Sequence, residues 1–128
     1  MDMFVQNTPG HRRLARILLL AAIGLVALPV TAAELLVIED KRCAPCLLFD
    51  RQVAAIYART TEGASVPLRK LPFGRVPPAP YGFVGAASVA PTFVLVDEGR
   101  EIGRFEGYSS DELFWMSLTA LLQKLPGR

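Results

Sequence analysis

Histidine is nearly absent from this chain of 128 residues, since its only one, His11, stands near the amino terminus. Cysteine is scarce too, with Cys43 and Cys46 alone. A structural zinc site usually takes four cysteine, histidine or carboxylate ligands, and a Cys-His protease needs an imidazole base. The segment after His11 is therefore expected to form neither site, nor the site of a copper carrier that combines cysteines with a histidine. We expect no metal.

The amino-terminal residues follow the order of a secretory signal peptide. A basic stretch, His11–Arg16, precedes the apolar run Ile17–Leu28, and the small residues Ala32 and Ala33 come shortly after it. A helix needs about 20 residues to span a bilayer. Because the run has only 12 residues, we expect cleavage after Ala32 or Ala33.

The predicted domain organisation follows from this leader. Residues 1–33 are interpreted as a signal peptide, and residues 34–128 as one domain that works outside the cytoplasm. An uncleaved anchor formed by residues 17–33 is the alternative, since a tilted segment of that length could just span a membrane.

The chain lacks a large excess of charge of either sign. It has 14 basic and 12 acidic side chains, a net charge of +2. Residues 1–33 hold three of the basic and one of the acidic groups, which leaves 11 of each. Without a basic field the domain has no electrostatic footprint for nucleic acid or for an anionic membrane surface. We expect partners to be recognised by shape and local chemistry.

The first half of the domain reads as a strand, a helix and a second strand. Glu34–Asp40 is an apolar run flanked by charges, as in a buried strand. Apolar residues then recur at helical spacing from Phe49 to Tyr57, and the pattern stops near Thr60. Ser65–Phe73 can form a strand parallel to the first, joined to it by a right-handed crossover.

The second half predicts a loop, a hairpin and a helix. Residues 74–90 hold too many prolines and glycines for a regular helix. Thr92–Asp97 is the most strand-like segment, and a short turn leads from it into Arg100–Glu106. Ser109 and Glu112 are spaced as a capping box. The closing helix shows one apolar face: Phe114, Leu118, Leu121, Leu122 and Leu125. The order β-α-β, loop, β-β-α indicates an α/β fold around a mixed four-stranded sheet.

The segment Cys43-Ala44-Pro45-Cys46 is the candidate site of chemistry. It lies between a strand and a helix, so unpaired N–H groups and the helix dipole would favour the Cys43 thiolate. Two intervening residues place Cys46 one turn further on, close enough for a disulfide. Cys43 is then the exposed nucleophile and Cys46 the buried resolving thiol. Pro45 suits the first turn, where no N–H is needed, and Lys41 and Arg42 add positive charge beside the nucleophile.

Two other interpretations of the cysteine pair stay open. One is a static disulfide that staples a small exported domain. Its ring of four residues would remove little loop entropy from the unfolded chain, so it would stabilise the fold little. The other is a domain that has kept the motif but only binds partners.

The dipeptide Ala90-Pro91, directly before the best strand, is a second signal. Only about 5–6% of X-Pro bonds are cis, so its position in the fold has to decide its geometry. Other informative residues are Tyr57, Thr60, Glu62-Gly63, Pro67-Leu68-Arg69, Pro91-Thr92-Phe93, Gly99-Arg100-Glu101, Arg104, Glu106-Gly107-Tyr108 and Phe114-Trp115. With the cysteine motif, they resemble the thioredoxin superfamily from Glu34 to Leu125. The resemblance is stronger to the periplasmic thioredoxins of bacterial sulfur-oxidation (Sox) gene clusters, the SoxS type.

This resemblance implies a thioredoxin-like fold in which a cis-proline, Pro91, faces the disulfide. Ala90, Pro91 and Thr92 would then expose backbone that pairs with the substrate. It implies a periplasmic monomer with no cofactor beyond the redox-active pair of Cys43 and Cys46. The implied partners are a sulfur-carrier protein, whose cysteine the enzyme keeps usable, and a membrane thiol transporter that supplies electrons.

The sequence departs from the thioredoxin pattern beside the cysteines. Arg42 stands where thioredoxins place a tryptophan, and Val37 where they place a buried acid. Proton transfer to Cys46 would then use another group, either Glu39 or water. The usual helix between the second and third strands is replaced by the proline-rich loop, which would shape the substrate groove.

The predicted reaction is thiol-disulfide exchange. Cys43 thiolate attacks a partner disulfide or modified thiol, and Cys46 resolves the mixed disulfide, with Pro91 positioning the partner. A proline before the second cysteine resembles the reducing thioredoxins, so reduction is the expected direction. Thioredoxin and the oxidant DsbA differ by about 150 mV, so a few charges could reverse it. The alternatives are a thiol oxidase or isomerase and a non-catalytic binding module.

Overall fold

The first strand of the sheet follows the predicted leader directly. The computed structural model describes residues 32–127, so nearly all of the leader, residues 1–33, falls outside the described residues. β1, Glu34–Glu39, has four buried central side chains between two half-buried glutamates, as the apolar run predicted. Within the described part of the chain, no helix is long and apolar enough to cross a membrane.

The helical segment after the cysteines has three continuous pieces: α1, Ala44–Phe49, a π-helical turn, Asp50–Ala54, and α2, Ala55–Tyr57. The sequence predicted its start correctly but placed its end near Thr60. Thr60 instead caps a further short helix, α3, Thr61–Ser65, which the sequence did not predict. Its Oγ1 accepts a hydrogen bond from the N–H of Gly63 at 3.0 Å, so a new helix begins where the apolar pattern stops.

Gly63 is required where α3 packs on the end of α2. A Cβ at this position would lie 1.9 Å from the carbonyl oxygen of Tyr57, far inside contact distance. The Tyr57 side chain is buried, and its hydroxyl donates to the carbonyl of Val66 at 2.9 Å. Burial, and secondly the charge of Glu62, raises the pKa of Tyr57 far above its ordinary 10. The hydroxyl therefore stays protonated and continues to donate.

The remaining strands are β2, Leu68–Pro72, β3, Thr92–Asp97, and β4, Arg100–Glu106. They form one sheet with β1 in the order β2-β1-β3-β4. β1 runs parallel to β2 and antiparallel to β3, and β4 runs antiparallel to β3. This confirms the predicted mixed four-stranded sheet. β2 is shorter than the predicted Ser65–Phe73 because Ser65 belongs to α3.

The closing helix, α4, spans Asp111–Leu122, and its cap differs from the predicted one. Ser110, not Ser109, is the N-cap, and its Oγ accepts a hydrogen bond from the N–H of Leu113 at 3.3 Å. The predicted pair of Ser109 and Glu112 is therefore shifted by one residue, and no capping box forms. The predicted apolar face is buried throughout.

The two faces of the sheet are covered by different kinds of structure. Leu35 and Val37 of β1 pack in a cluster with side chains of α1 and α4. This cluster is rich in aromatic rings, and the ring centroids of Phe49 and Phe93 lie 4.9 Å apart. Leu36 and Ile38 lie in a second cluster on the opposite face. Alternating side chains of one strand thus contribute to both cores, which explains why the run is apolar throughout.

The proline-rich segment covers the second face. As predicted, residues 74–90 form turns and no helix. Tyr81 and Val84 are buried against the sheet, and the Tyr81 hydroxyl donates to Glu34 Oε2 at 2.6 Å. The loop therefore occupies the face that the missing helix would cover, and it ends at the start of β3.

Candidate active site

The two cysteines lie at the amino-terminal end of α1. Cys43 is the N-cap residue and is half-buried, whereas Cys46 is 1% exposed. They form a disulfide with Cα atoms 5.2 Å apart. The N–H of Cys46 points at Cys43 Sγ at 3.2 Å. The same N–H and the helix dipole would stabilise negative charge on Cys43 after reduction.

A tight turn before the helix fixes the approach to Cys43. The N–H of Cys43 donates to the Asp40 carbonyl at 3.1 Å, and the N–H of Arg42 donates to Asp40 Oδ1 at 2.9 Å. Lys41 and Arg42 are exposed, and 93% of the Arg42 side chain is accessible. Pro45 is also exposed, in the first turn of the helix. The solvent side of Cys43 therefore carries two cations held on an ordered backbone.

The start of β3 faces the disulfide from the other side. The Ala90-Pro91 peptide bond is cis, the geometry that the resemblance implies. The Ala90 carbonyl oxygen lies 3.3 Å from Cys43 Sγ. The Pro91 carbonyl accepts from the N–H of Gly107 at 2.8 Å, and buried Thr92 donates its hydroxyl to the Val89 carbonyl at 2.6 Å. Ala90, Pro91 and Thr92 are thus brought together beside Cys43.

Glu39 ends β1 in a group of three charged side chains. Its Oε1 lies 3.1 Å from Lys70 Nζ, which also contacts Asp50 of the π-helical turn, one helical turn after Cys46. Among residues 32–127, the buried Glu39 Oε2 has no hydrogen-bond partner. Burial opposes the charged ammonium, yet hydrogen bonds to Asp50 and Glu39 outweigh it and raise the pKa of Lys70. A carboxylate with an unpaired oxygen therefore lies at the end of β1 and is linked through Lys70 to the helical segment that follows Cys46.

No protein-family model matches the chain, and neither does any curated protein sequence. Among solved structures, the periplasmic thioredoxin SoxS from Paracoccus pantotrophus, in its reduced form, is 33% identical in sequence. The match covers 72% of this chain and 97% of that one, with a TM-score of 0.65. The chain belongs to the SoxS-type thioredoxins.

Two more distant structures share the fold of this SoxS-type chain. Thioredoxin from Fasciola hepatica is 23% identical, over 70% of this chain and 80% of its own, with a TM-score of 0.51. Thioredoxin f2 from Chlamydomonas reinhardtii is 20% identical, over 78% and 85%, with a TM-score of 0.52. The activity follows from the 33% identical SoxS relative and the Cys43–Cys46 pair, which together make the chain a thiol-disulfide oxidoreductase. Among residues 32–127, no group of three or more histidine, cysteine, aspartate or glutamate side chains could hold a metal ion.

The SoxS-type chain has the cysteines at a helix start, but it lacks the buried acid that thioredoxins place on the first strand. Val37, at the position where thioredoxins place a buried acid, is fully buried in the apolar cluster. Lys70 lies directly opposite Val37 in the parallel pair of strands, so the two side chains share a face. Neither Lys70 nor Asp50 was predicted from the sequence as part of the site. Only the strand register and the π-helical turn bring them to Glu39, and neither has a local sequence signal.

Proposed function

We propose that this SoxS-type thioredoxin is an exported reductase of protein disulfides or modified thiols. Cys43 thiolate attacks one sulfur of the partner, which forms a mixed disulfide and releases the other sulfur as a thiol or thiolate. Cys46 thiolate then attacks Cys43 Sγ, which closes the Cys43–Cys46 disulfide and releases the partner's second thiol. Two electrons pass to the partner. The observation that carries the proposal is the half-exposed Cys43 at the helix start, above a fully buried Cys46 and against the Ala90 carbonyl.

The proposed partner is a protein that carries sulfur on a cysteine. The name of the relative, a periplasmic thioredoxin, supports the compartment, and the leader-like residues 1–33 support export. A membrane thiol transporter would reduce the Cys43–Cys46 disulfide again, and the enzyme would work as a monomer without a metal or other cofactor. The half-buried Ala90 would bind the partner's backbone beside its reacting sulfur, whereas Pro91 and Thr92, which are buried, would hold Ala90 in place.

Glu39 is the proposed proton acceptor for Cys46. The buried thiol has to ionise before it attacks. Glu39 offers a carboxylate oxygen that has no hydrogen-bond partner in the part of the chain that the structure describes. Lys70 holds the neighbouring oxygen at 3.1 Å and so fixes the carboxylate. The proposal gives Glu39 the task that the buried acid performs in other thioredoxins.

The direction of electron flow is tested by the reduction potential of the Cys43–Cys46 couple. Titration against dithiothreitol should give a value near the roughly −270 mV of thioredoxin. The exposed cations beside Cys43 stabilise the thiolate, and so favour the alternative direction, thiol oxidation. A value near the roughly −120 mV of DsbA would therefore replace the reductase with an oxidase.

A second experiment asks for the partner itself. In the variant Cys46→Ser the mixed disulfide cannot be resolved, so a covalent complex should accumulate with the natural substrate. A double variant, Cys43→Ser with Cys46→Ser, is the matched control and should capture nothing covalently. Binding without any covalent complex would favour a binding module.

A further inference from the structure

Arg104 of β4 contacts the loop that precedes the active-site proline, on the face of the sheet that this loop covers. Its Nη1 donates to the carbonyl of Ala86 and its Nη2 to the carbonyl of Gly85, each at 3.1 Å. The same guanidinium donates through Nε and Nη2 to both carboxylate oxygens of Glu101. About three quarters of each of these two charged side chains is withdrawn from solvent.

This contact lies at the start of a short segment whose end reaches the reacting sulfur. From Gly85 the chain runs to Ala90, whose carbonyl lies 3.3 Å from Cys43 Sγ. The far end of this segment is fixed by two hydrogen bonds. The Thr92 hydroxyl donates to the Val89 carbonyl, and the N–H of Gly107 donates to the Pro91 carbonyl. Between the two fixed points the chain is mostly exposed and is irregular or bent. Residues 85–92 are therefore held at both ends and have no regular secondary structure between them.

We propose that Arg104, held by Glu101, is a positioning residue for protein substrates. It fixes the loop so that the Ala90 backbone is already ordered when a partner chain arrives. Ordering a loop during binding costs free energy that a preorganised loop does not lose. This inference rests on the proposed function, since it assigns the loop to the binding of a partner polypeptide.

The geometry requires arginine at this position. The planar guanidinium can donate to a carboxylate and to two carbonyls at the same time, whereas the ammonium of lysine is a point charge without that fork. The loop side is adapted to it as well. A Cβ on Gly85 would lie 3.2 Å from Arg104 Nη2, closer than an ordinary contact. A substitution of Arg104 or of Gly85 should therefore weaken this contact between β4 and the loop, which we call the Arg104 clamp.

The test compares a protein disulfide with a small one. Reduced wild type, Arg104→Lys and Gly85→Ala would be assayed with insulin, in the presence of dithiothreitol to renew the Cys43 and Cys46 thiols. The same proteins would react in a single turnover with the small disulfide DTNB, without dithiothreitol. Arg104→Lys should raise the KM for insulin about tenfold, the scale of one charge-assisted hydrogen bond, with kcat much less affected. Gly85→Ala should raise KM in the same direction by less. The rate with DTNB and the reduction potential should stay close to those of wild type, because neither depends on an extended binding surface.

The control is Arg100→Lys, the same exchange at an exposed residue of the same strand. If Arg104→Lys had the same KM for insulin as the wild type, the proposed role of Arg104 would be wrong. It would also be wrong if the variant lost activity equally with insulin and with DTNB, because that would indicate general damage to the site. If the wild type reacted with DTNB but with no protein disulfide, the proposed function and the clamp would both fall. If the wild type reduced insulin but Arg104→Lys and Gly85→Ala had the same KM for insulin as the wild type, only the role of Arg104 would fall.

Discussion

Replacing Glu39 with glutamine tests the proposed proton acceptor with almost no change in volume. Lys70 keeps its contact with Asp50 in this variant, so its ammonium is not left without a partner. The exposed fraction is 40% for the Lys70 side chain but only 16% for that of Glu39, so the lost ion pair should cost about 1–3 kcal/mol. In a domain of this size each 1 kcal/mol lowers the Tm by about 4–8 °C. The Tm of the variant is therefore measured first, and the kinetic assay is run well below it.

The kinetic effect of Glu39→Gln should be far larger than its effect on stability. Reduced protein treated with DTNB releases one thionitrobenzoate when Cys43 attacks and a second when Cys46 resolves the adduct. General acid-base catalysis contributes about 10²–10⁴-fold, so the second phase should slow by about 100-fold near neutral pH. The first phase should stay near the wild-type rate. Higher pH should restore the second phase, because Cys46 then ionises without help.

Glu34→Gln is the matched control for this experiment. Glu34 lies on the same strand and also pairs with a cation, Arg69, at 3.0 Å, but at the opposite end of β1. Both phases of its reaction should match the wild type. If Glu39→Gln released both equivalents at wild-type rates, Glu39 would not be the proton acceptor. If both variants slowed the second phase equally, a general electrostatic effect would replace the assigned role.

The cations beside Cys43, the close packing at Gly63 and the Arg104–Glu101 pair can each be tested by substitution. Replacing Lys41 and Arg42 with glutamine should slow the first phase with DTNB, and the difference from wild type should shrink at high salt, because both cations are exposed. Gly63→Ala should lower the free energy of unfolding in urea by at least about 1–3 kcal/mol, since its Cβ would overlap a backbone oxygen. The hydrogen bond from Arg104 lowers the pKa of Glu101 in the folded protein below its ordinary 4.5. The Glu101 carboxylate therefore stabilises the fold above pH 4.5, and this stabilisation is lost as the pH falls through the lowered pKa of the folded state. The stability advantage of wild type over Glu101→Gln, measured by urea unfolding across pH, should therefore disappear in acid, and an advantage independent of pH would refute the pairing.

The parts of the site that were predictable have local signals. An apolar run with charged ends, two cysteines three residues apart and helical spacing after them place Cys43 at the helix start without any knowledge of the rest of the chain. Lys70 has no such signal. Its neighbours in sequence suit an exposed strand, and only the parallel register opposite Val37 brings it beneath the cysteine helix.

The helix cap shows a second limit of sequence patterns. Ser109 and Ser110 are both good capping residues, and Glu112 favours the first of them by spacing. The structure uses Ser110, whose extended backbone places its hydroxyl at the N–H of Leu113. The choice depends on where the chain leaves β4 and turns at Gly107, which has a positive φ of 80°. A tertiary constraint thus decides between two equivalent local solutions.

The loop that replaces a helix explains why the proposed clamp is needed. A helix satisfies its own backbone groups, but residues 74–90 form turns and are held by side chains that reach out from the sheet. Glu34 accepts from Tyr81 near the middle of the loop, and Arg104 donates to Gly85 and Ala86 near its end. The same segment covers the second core and then enters the active site at Pro91. Substitutions of Tyr81 should therefore mainly lower the free energy of unfolding. Substitutions of Arg104, next to the exposed part of the loop, should weaken the binding of a protein substrate more than they destabilise the fold.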